Sequence, residues 1–380
     1  MVLPKFISAI FAVVLPVMIS SCALDGSSSE EEVVIEFKEH ELCSSVIFQS
    51  QSVVKLDSPC LESFIADPAR ILCSDSLLFV FDRGNNKVVS FNYQGDYIFS
   101  TTGLIGHAHN EYVHLQDVAL DEWTQEIYLY CDRPYQLLVL DYNLKVKRNI
   151  VLNELFSEIA VDSSHFYALS PDLSDASRYV LRSYRKGGIG QRHDVVLCYE
   201  KVIPRVTGLG RAINRNRESV YACMPFDNHI HEIAHGRIKR CLALDFKGKW
   251  FDYEHNKGLS GIRFIEANDE THWMAQNIAA SDAFVLFNTN QKEVFVATPS
   301  EGIGEGFARF VNDSNPFSRS WFIPTSGKYD VSYAILPSQI IDYKEYYQHS
   351  QECMPDSPMM ALIEETDADD NFILCLATLK

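Results

Sequence analysis

The sequence has no Cys-x-x-Cys pair among its ten cysteines and no Gly-x-Ser-x-Gly. Those absences remove the zinc ribbon, the thioredoxin-type redox site and the serine-hydrolase elbow. Positive charge is scarce: 33 Lys and Arg stand against 51 Asp and Glu, a net −18. Nucleic-acid partners are excluded with it, because phosphates need a basic footprint. Segments of 3.6-residue apolar periodicity are nearly missing, and Pro337–Tyr347 alone predicts a short helix. The N-terminal apolar run, Phe6 to Ile19, is about 14 residues, too short to span a ~30 Å hydrocarbon core.

That run follows a single cation, Lys5, and fits the apolar region of a cleaved signal peptide. It ends in Ile19-Ser20-Ser21-Cys22, which resembles a bacterial lipobox. The resemblance implies a signal peptide over residues 1–21 and diacylglycerol on the Cys22 thiol. An otherwise soluble domain would then be held at a membrane, as an outer-membrane lipoprotein facing the periplasm or the cell surface. Residues 22–32, with Glu30-Glu31-Glu32, lack apolar periodicity and predict a flexible acidic tether. The folded domain is expected over 33–380. Most cysteines sit in apolar runs, such as Ile71-Leu72-Cys73 and Val196-Leu197-Cys198, and read as small core residues.

Two similar units laid end to end over Leu77–Leu144 organise the rest. In each, an alternating apolar run ends in Asp-Arg (Asp82-Arg83, Asp132-Arg133), and the two pairs lie 50 residues apart. A turn and a second apolar run follow, Lys87–Phe91 and Gln136–Leu140. A period of roughly 40–50 residues with two central strands predicts the blades of a β-propeller. One four-stranded blade cannot bury its own faces, so blades must stack radially. Further strands are expected at Leu115–Leu120, Glu158–Val161, Phe166–Leu169, Tyr179–Tyr184, Val220–Cys223, His229–Ile233, Phe284–Phe287, Val294–Ala297 and within Trp321–Leu336. The expected fold class is all-β, a six-bladed β-propeller. An open ring would leave unpaired strand edges. The last strand, Asn371–Leu376, is therefore expected to pair near Val53–Leu56 and close the ring through the N- and C-terminal strands.

Three stretches carry a family resemblance, in order along the chain: Gly103 to Glu111-Tyr112, Asp227 to Ile233 with Leu244-Asp245-Phe246-Lys247-Gly248, and Asp370 to Ile373 with Leu379-Lys380. They are similar to the exported six-bladed β-propeller lipoproteins of Gram-negative gut-type bacteria, with NHL-like repeats. Here the family's Gly-Pro element is replaced by the His-containing Gly106-His107-Ala108-His109, and Phe372 stands for its Pro. The resemblance implies fold and export.

Several constellations carry possible chemistry. His231-Glu232-Ile233-Ala234-His235 is formally His-Glu-x-x-His, which binds zinc when a helix brings residues i and i+4 to one face. On a strand, at ~3.3 Å per residue, the two histidines would be about 13 Å apart; the strand reading is preferred. His107, His109 and His114, with Glu111, are candidate ligands for a divalent metal; no other cofactor is predicted. Gly302 to Gly306 lacks the strand-then-helix context of a dinucleotide loop and predicts a loop between blades. A basic run from Arg178 to Arg217 interrupts the acidic chain, and Arg211, Arg215 and Arg217 are candidates to hold an anionic ligand on a channel rim. The alternative is a solvated face balancing nearby acids. The expected function is that of a lipid-anchored binding module for a glycan, a peptide or a partner protein. The alternative is a metal-dependent enzyme of the lactonase or lyase type, which needs three or more His, Asp or Glu side chains converging on the channel mouth.

Overall fold

Alternating apolar and polar residues turn most of the chain into short antiparallel meanders. The computed structural model describes residues 29–171, 178–200, 210–256, 258, 270–311, 321–349 and 358–380. Three strands come first: β1 (Ser29–Phe37), β2 (Leu42–Cys43) and β3 (Phe48–Lys55). One meander then follows another. The first runs β4 (Pro68–Cys73), β5 (Leu77–Asp82), β6 (Lys87–Asn92), β7 (Tyr97–Ser100); the second β8 (His114–Asp121), β9 (Glu126–Arg133), β10 (Tyr135–Asp141), β11 (Val146–Val151). The third runs β12 (Glu158–Val161), β13 (His165–Pro171), β14 (Tyr179–Arg185), β15 (Asp194–Tyr199). The fourth is β16 (Ile213–Asn216), β17 (Ser219–Ala222), β18 (His229–Ala234), β19 (Arg237–Asp245); the fifth β20 (Ala275–Ala280), β21 (Val285–Thr289), β22 (Val294–Thr298), β23 (Ile303–Phe307). The chain ends with β24 (Phe310–Val311), β25 (Ile323–Pro324), β26 (Ser326–Gly327), β27 (Val331–Ile335) and β28 (Ile373–Leu379).

The arrangement is all-β and propeller-like. The first strands of successive meanders stand side by side, β4 by β8, β8 by β12, β12 by β16, β16 by β20 and β20 by β25, and β25 returns to β4. Their apolar faces interlock between neighbours: Phe79 and Phe81 of the first meander share a core with Leu129 and Leu138 of the second. Each such side chain contributes about 1.5–3 kcal/mol. The C-terminal strand β28 pairs antiparallel with β3, Leu374 opposite Val54 and Cys375 opposite Val53, in a sheet ordered β25-β27-β28-β3.

Four expectations need correction. The acidic tether does not extend to residue 32, because Ser29–Phe37 is a strand lying parallel to both β19 and β23. Val33 and Ile35 are fully buried while Glu30, Glu32 and Glu36 face out, the solvent side of an alternating strand. With β1 between them, the fourth and fifth meanders form one nine-stranded sheet whose end strands, β16 and β20, lie together. Gly302–Gly306 is not a loop. Only Gly302 has a positive φ, at 67°; Gly304 sits in β23, where a Cβ would come within 2.5 Å of the Ile35 side chain. Cys198 is exposed, on the outermost strand of its meander, rather than in the core. The expected helix is present as Pro337–His349, but Pro358–Glu364 and the single turns Ser44–Ile47 and Tyr253–Asn256 were not expected. Seven residues are too few for a readable 3.6-residue period. Among the described residues, no helix is long and apolar enough to cross a membrane.

Candidate functional site

At the ends of the inner strands where β4, β8 and β12 begin lies a cavity of about 600 Å³. Its wall is contributed in turn by Pro68 and Ala69, by His114 to Gln116, by Ser157 and Glu158, by Gly210 and Arg211 just before β16, by Asn277, and by Trp321 and Ile323. Three of these segments carry a β-bulge. The pairing of β4 with β5 slips between Pro68 and Arg70, that of β8 with β9 between Leu115 and Asp117, and that of β20 with β21 between Gln276 and Ala279. The extra residues Ala69, Gln116 and Asn277 all line the cavity. A bulge bends its strand and re-aims a side chain, and such bulges concentrate beside functional sites. β12, β16 and β25 pair with no such slip. Asn277 is left-handed, φ 54°, and its amide packs so closely on Gly210 that a Cβ there would lie 2.6 Å from its Oδ1.

Charge is concentrated beneath this wall. Asp117, 1% exposed, accepts a two-pronged contact from Arg211, Nη1 to Oδ1 at 2.8 Å and Nη2 to Oδ2 at 2.7 Å. It also accepts the Ile159 amide at 2.7 Å and lies 3.2 Å from Arg70 Nη1, which also donates to the Val118 carbonyl. Burial opposes ionisation of Asp117, but the two guanidiniums outweigh it and hold its carboxyl below the ordinary range. Burial and the charge of Arg211 push Arg70 down to about 10, so it stays charged at neutral pH. Glu158 accepts the backbone N–H groups of Ala212 and Ile213 at 3.1 and 3.0 Å. At the rim Arg83 donates to Asp67 at 2.8 Å, and His114 Nδ1 is 2.7 Å from Asp132 Oδ1.

The structure thus brings two candidates to one cavity, His114 and Arg211, from opposite ends of the sequence argument. His107 and His109 lie on the exposed stretch before β8 and do not line it. Among the described residues, no group of three His, Cys, Asp or Glu side chains is placed to hold a metal ion. Arg215 and Arg217 face the opposite end. Arg215, 2% exposed, lies 2.6 Å from Glu122 and over the Trp123 ring; Arg217 donates to Asp330 at 3.3 Å. The arginines expected to form a basic rim are thus each engaged by a carboxylate. Lys201 and Arg205, from the same basic run, lie outside the described residues. His231 and Glu232 lie on β18, with His235 in the turn beyond it, and Glu232 is bound by Arg240 at 3.0 Å.

The family model described as a domain of unknown function, DUF4934, matches residues 32–378. The chain belongs to the DUF4934 family. No curated protein matches it. A Bacteroides fragilis protein described as exported is similar to this DUF4934 chain, with a TM-score of 0.70 at 14% identity, covering 93% of this chain and 100% of that one. At that identity the likeness shows the fold alone. The similarity to BamB from Moraxella catarrhalis is lower, TM-score 0.38 and 11% identity over 67% of this chain and 65% of BamB. That to the WD40 β-propeller domain of Doa1 is lower again, TM-score 0.36 and 10% identity over 67% of this chain and 71% of that domain.

Proposed function

We propose that this DUF4934 protein is a six-bladed propeller, anchored by lipid on Cys22 at a cell-envelope membrane, that acts as a binding module. Its ligand seats in the cavity at the channel mouth. The observation that carries the reading is the convergence of three bulges, at Ala69, Gln116 and Asn277, on that one cavity. The count of six takes the nine-stranded sheet as two blades tied by β1, and the sheet β25-β27-β28-β3 as the sixth blade. The exported neighbour and the lipobox-like residues 19–22 support the envelope address; Cys22 itself lies outside the described residues. The enzymatic alternative has less support, since of His107, His109 and His114 only His114 lines the cavity.

The test fills the cavity. Glycans and peptides are screened for a rise in unfolding temperature, which any ligand specific to the folded state must produce. Gln116 is exposed, so Gln116→Trp is expected to block the mouth and leave the unliganded protein's unfolding temperature unchanged. A ligand lost in this variant supports the reading. One that binds it as tightly as the parent contradicts it.

A further inference from the structure

We infer that the ligand of this cavity is an uncharged glycan; the inference rests on the cavity being the binding site. Among the described residues the charged groups in the wall are already compensated: Arg83 by Asp67, Arg211 by Asp117, and Glu158 by two backbone N–H groups. An ionic ligand would have to compete with these partners, and at the buried Arg211–Asp117 pair that competition is costly. The uncommitted groups are of another kind. Gln116, Ser157 and Trp321 line the cavity, and the Gln116 carboxamide, the Ser157 hydroxyl and the Trp321 indole N–H have no side-chain partner among the described residues.

These groups are neutral, and together they both donate and accept. That mixture suits sugar hydroxyls, each of which also donates and accepts. Trp321, half-buried, adds a flat apolar face of the kind that covers the C–H face of a pyranose ring. The volume, about 600 Å³, falls among pockets for small ligands, roughly 300–1,000 Å³. A short oligosaccharide segment fits that range.

The experiment is calorimetric titration of the full chain in detergent with three panels: uncharged hexose oligosaccharides, oligosaccharides containing uronic acids, and uncharged peptides. The expected result is binding of an uncharged oligosaccharide, weakened about tenfold or more in Trp321→Ala and in Gln116→Ala. That binding should change little as salt rises from about 0.05 to 0.5 M, since no ion pair is formed. If uronic oligosaccharides or peptides bind instead and are weakened by the same substitutions, the inference is overturned while the cavity remains the site. If nothing binds, or neither substitution matters, the cavity reading falls and the inference with it.

Discussion

At one mouth of the channel Arg211 pairs with Asp117 beneath a cavity whose wall still offers free neutral groups. At the other, Arg215 and Arg217 belong to a plug. There the short strand β26 touches β4, β8 and β16, reaching across the ring, and Ser326 Oγ lies 3.5 Å from the Arg215 carbonyl. Lys186 lies 2.6 Å from Asp121 and shares the Trp123 ring with Arg215. Asp330 accepts from Arg217 and Asn216, and from the Leu379 amide at 2.8 Å, which ties the last strand to the plug. Both ends use arginine–carboxylate pairs drawn from one short stretch of chain. They differ in what is left over: among the described residues, the three bulges at Ala69, Gln116 and Asn277 and the uncommitted neutral side chains of Gln116, Ser157 and Trp321 lie at the open mouth. Buried ion pairs therefore mark structure at both ends, and the proposed site rests on the remaining neutral groups.

Substitutions at three positions sharpen the contrast. Asp117→Ala leaves Arg70 and Arg211 buried without their shared carboxylate and is expected to cost about 3–5 kcal/mol in denaturant unfolding. A loss under about 1 kcal/mol would mean that water already compensates those arginines. The same depressed carboxyl makes a pH prediction. Its stabilisation is complete above the ordinary carboxylate pKa, about 4, and is lost as pH falls through its lower folded value, so the parent should weaken with acid more than Asp117→Asn does. Gly327→Ala attacks the plug. Gly327 has φ 101°, and an added Cβ would lie 1.9 Å from the Cys73 carbonyl oxygen. The expected cost exceeds the ~1–3 kcal/mol of backbone strain alone, because that carbonyl must move as well. Smallest is Gln116→Ala: an exposed side chain with no partner among the described residues should change stability by less than about 0.5 kcal/mol. An equal loss at Gln116 and Gly327 would erase the distinction between the two ends.

Much of the fold was legible because the repeat is written in residue types with fixed roles. The first Asp-Arg pair ends β5, where Asp82 takes the Asp67 and Asn85 amides and the Asn85 side chain; the second ends β9, where Asp132 takes His114. The pairing of β28 with β3 followed from the need to cover an apolar edge. β1 was not legible, since a strand that begins Ser-Glu-Glu-Glu resembles a solvated tether until two outer strands supply its hydrogen bonds. Charge counting found the arginines but not their partners, because Asp117, Glu122 and Asp330 come from parts of the chain distant in sequence. The bulges left a faint trace: paired polar residues inside apolar runs, Gln116-Asp117 after Leu115 and Gln276-Asn277 before Ile278. Alternation allows one such residue facing out and makes the second anomalous.

Hydrogen–deuterium exchange, with and without the uncharged hexose oligosaccharide panel, tests the division between the two ends most directly. Added glycan should slow exchange at 114–117, 157–159, 210–213 and 321–323, and leave 121–123, 215–217 and 326–331 unchanged. Slowed exchange at the plug or along β1, with the open mouth unaffected, would contradict the account.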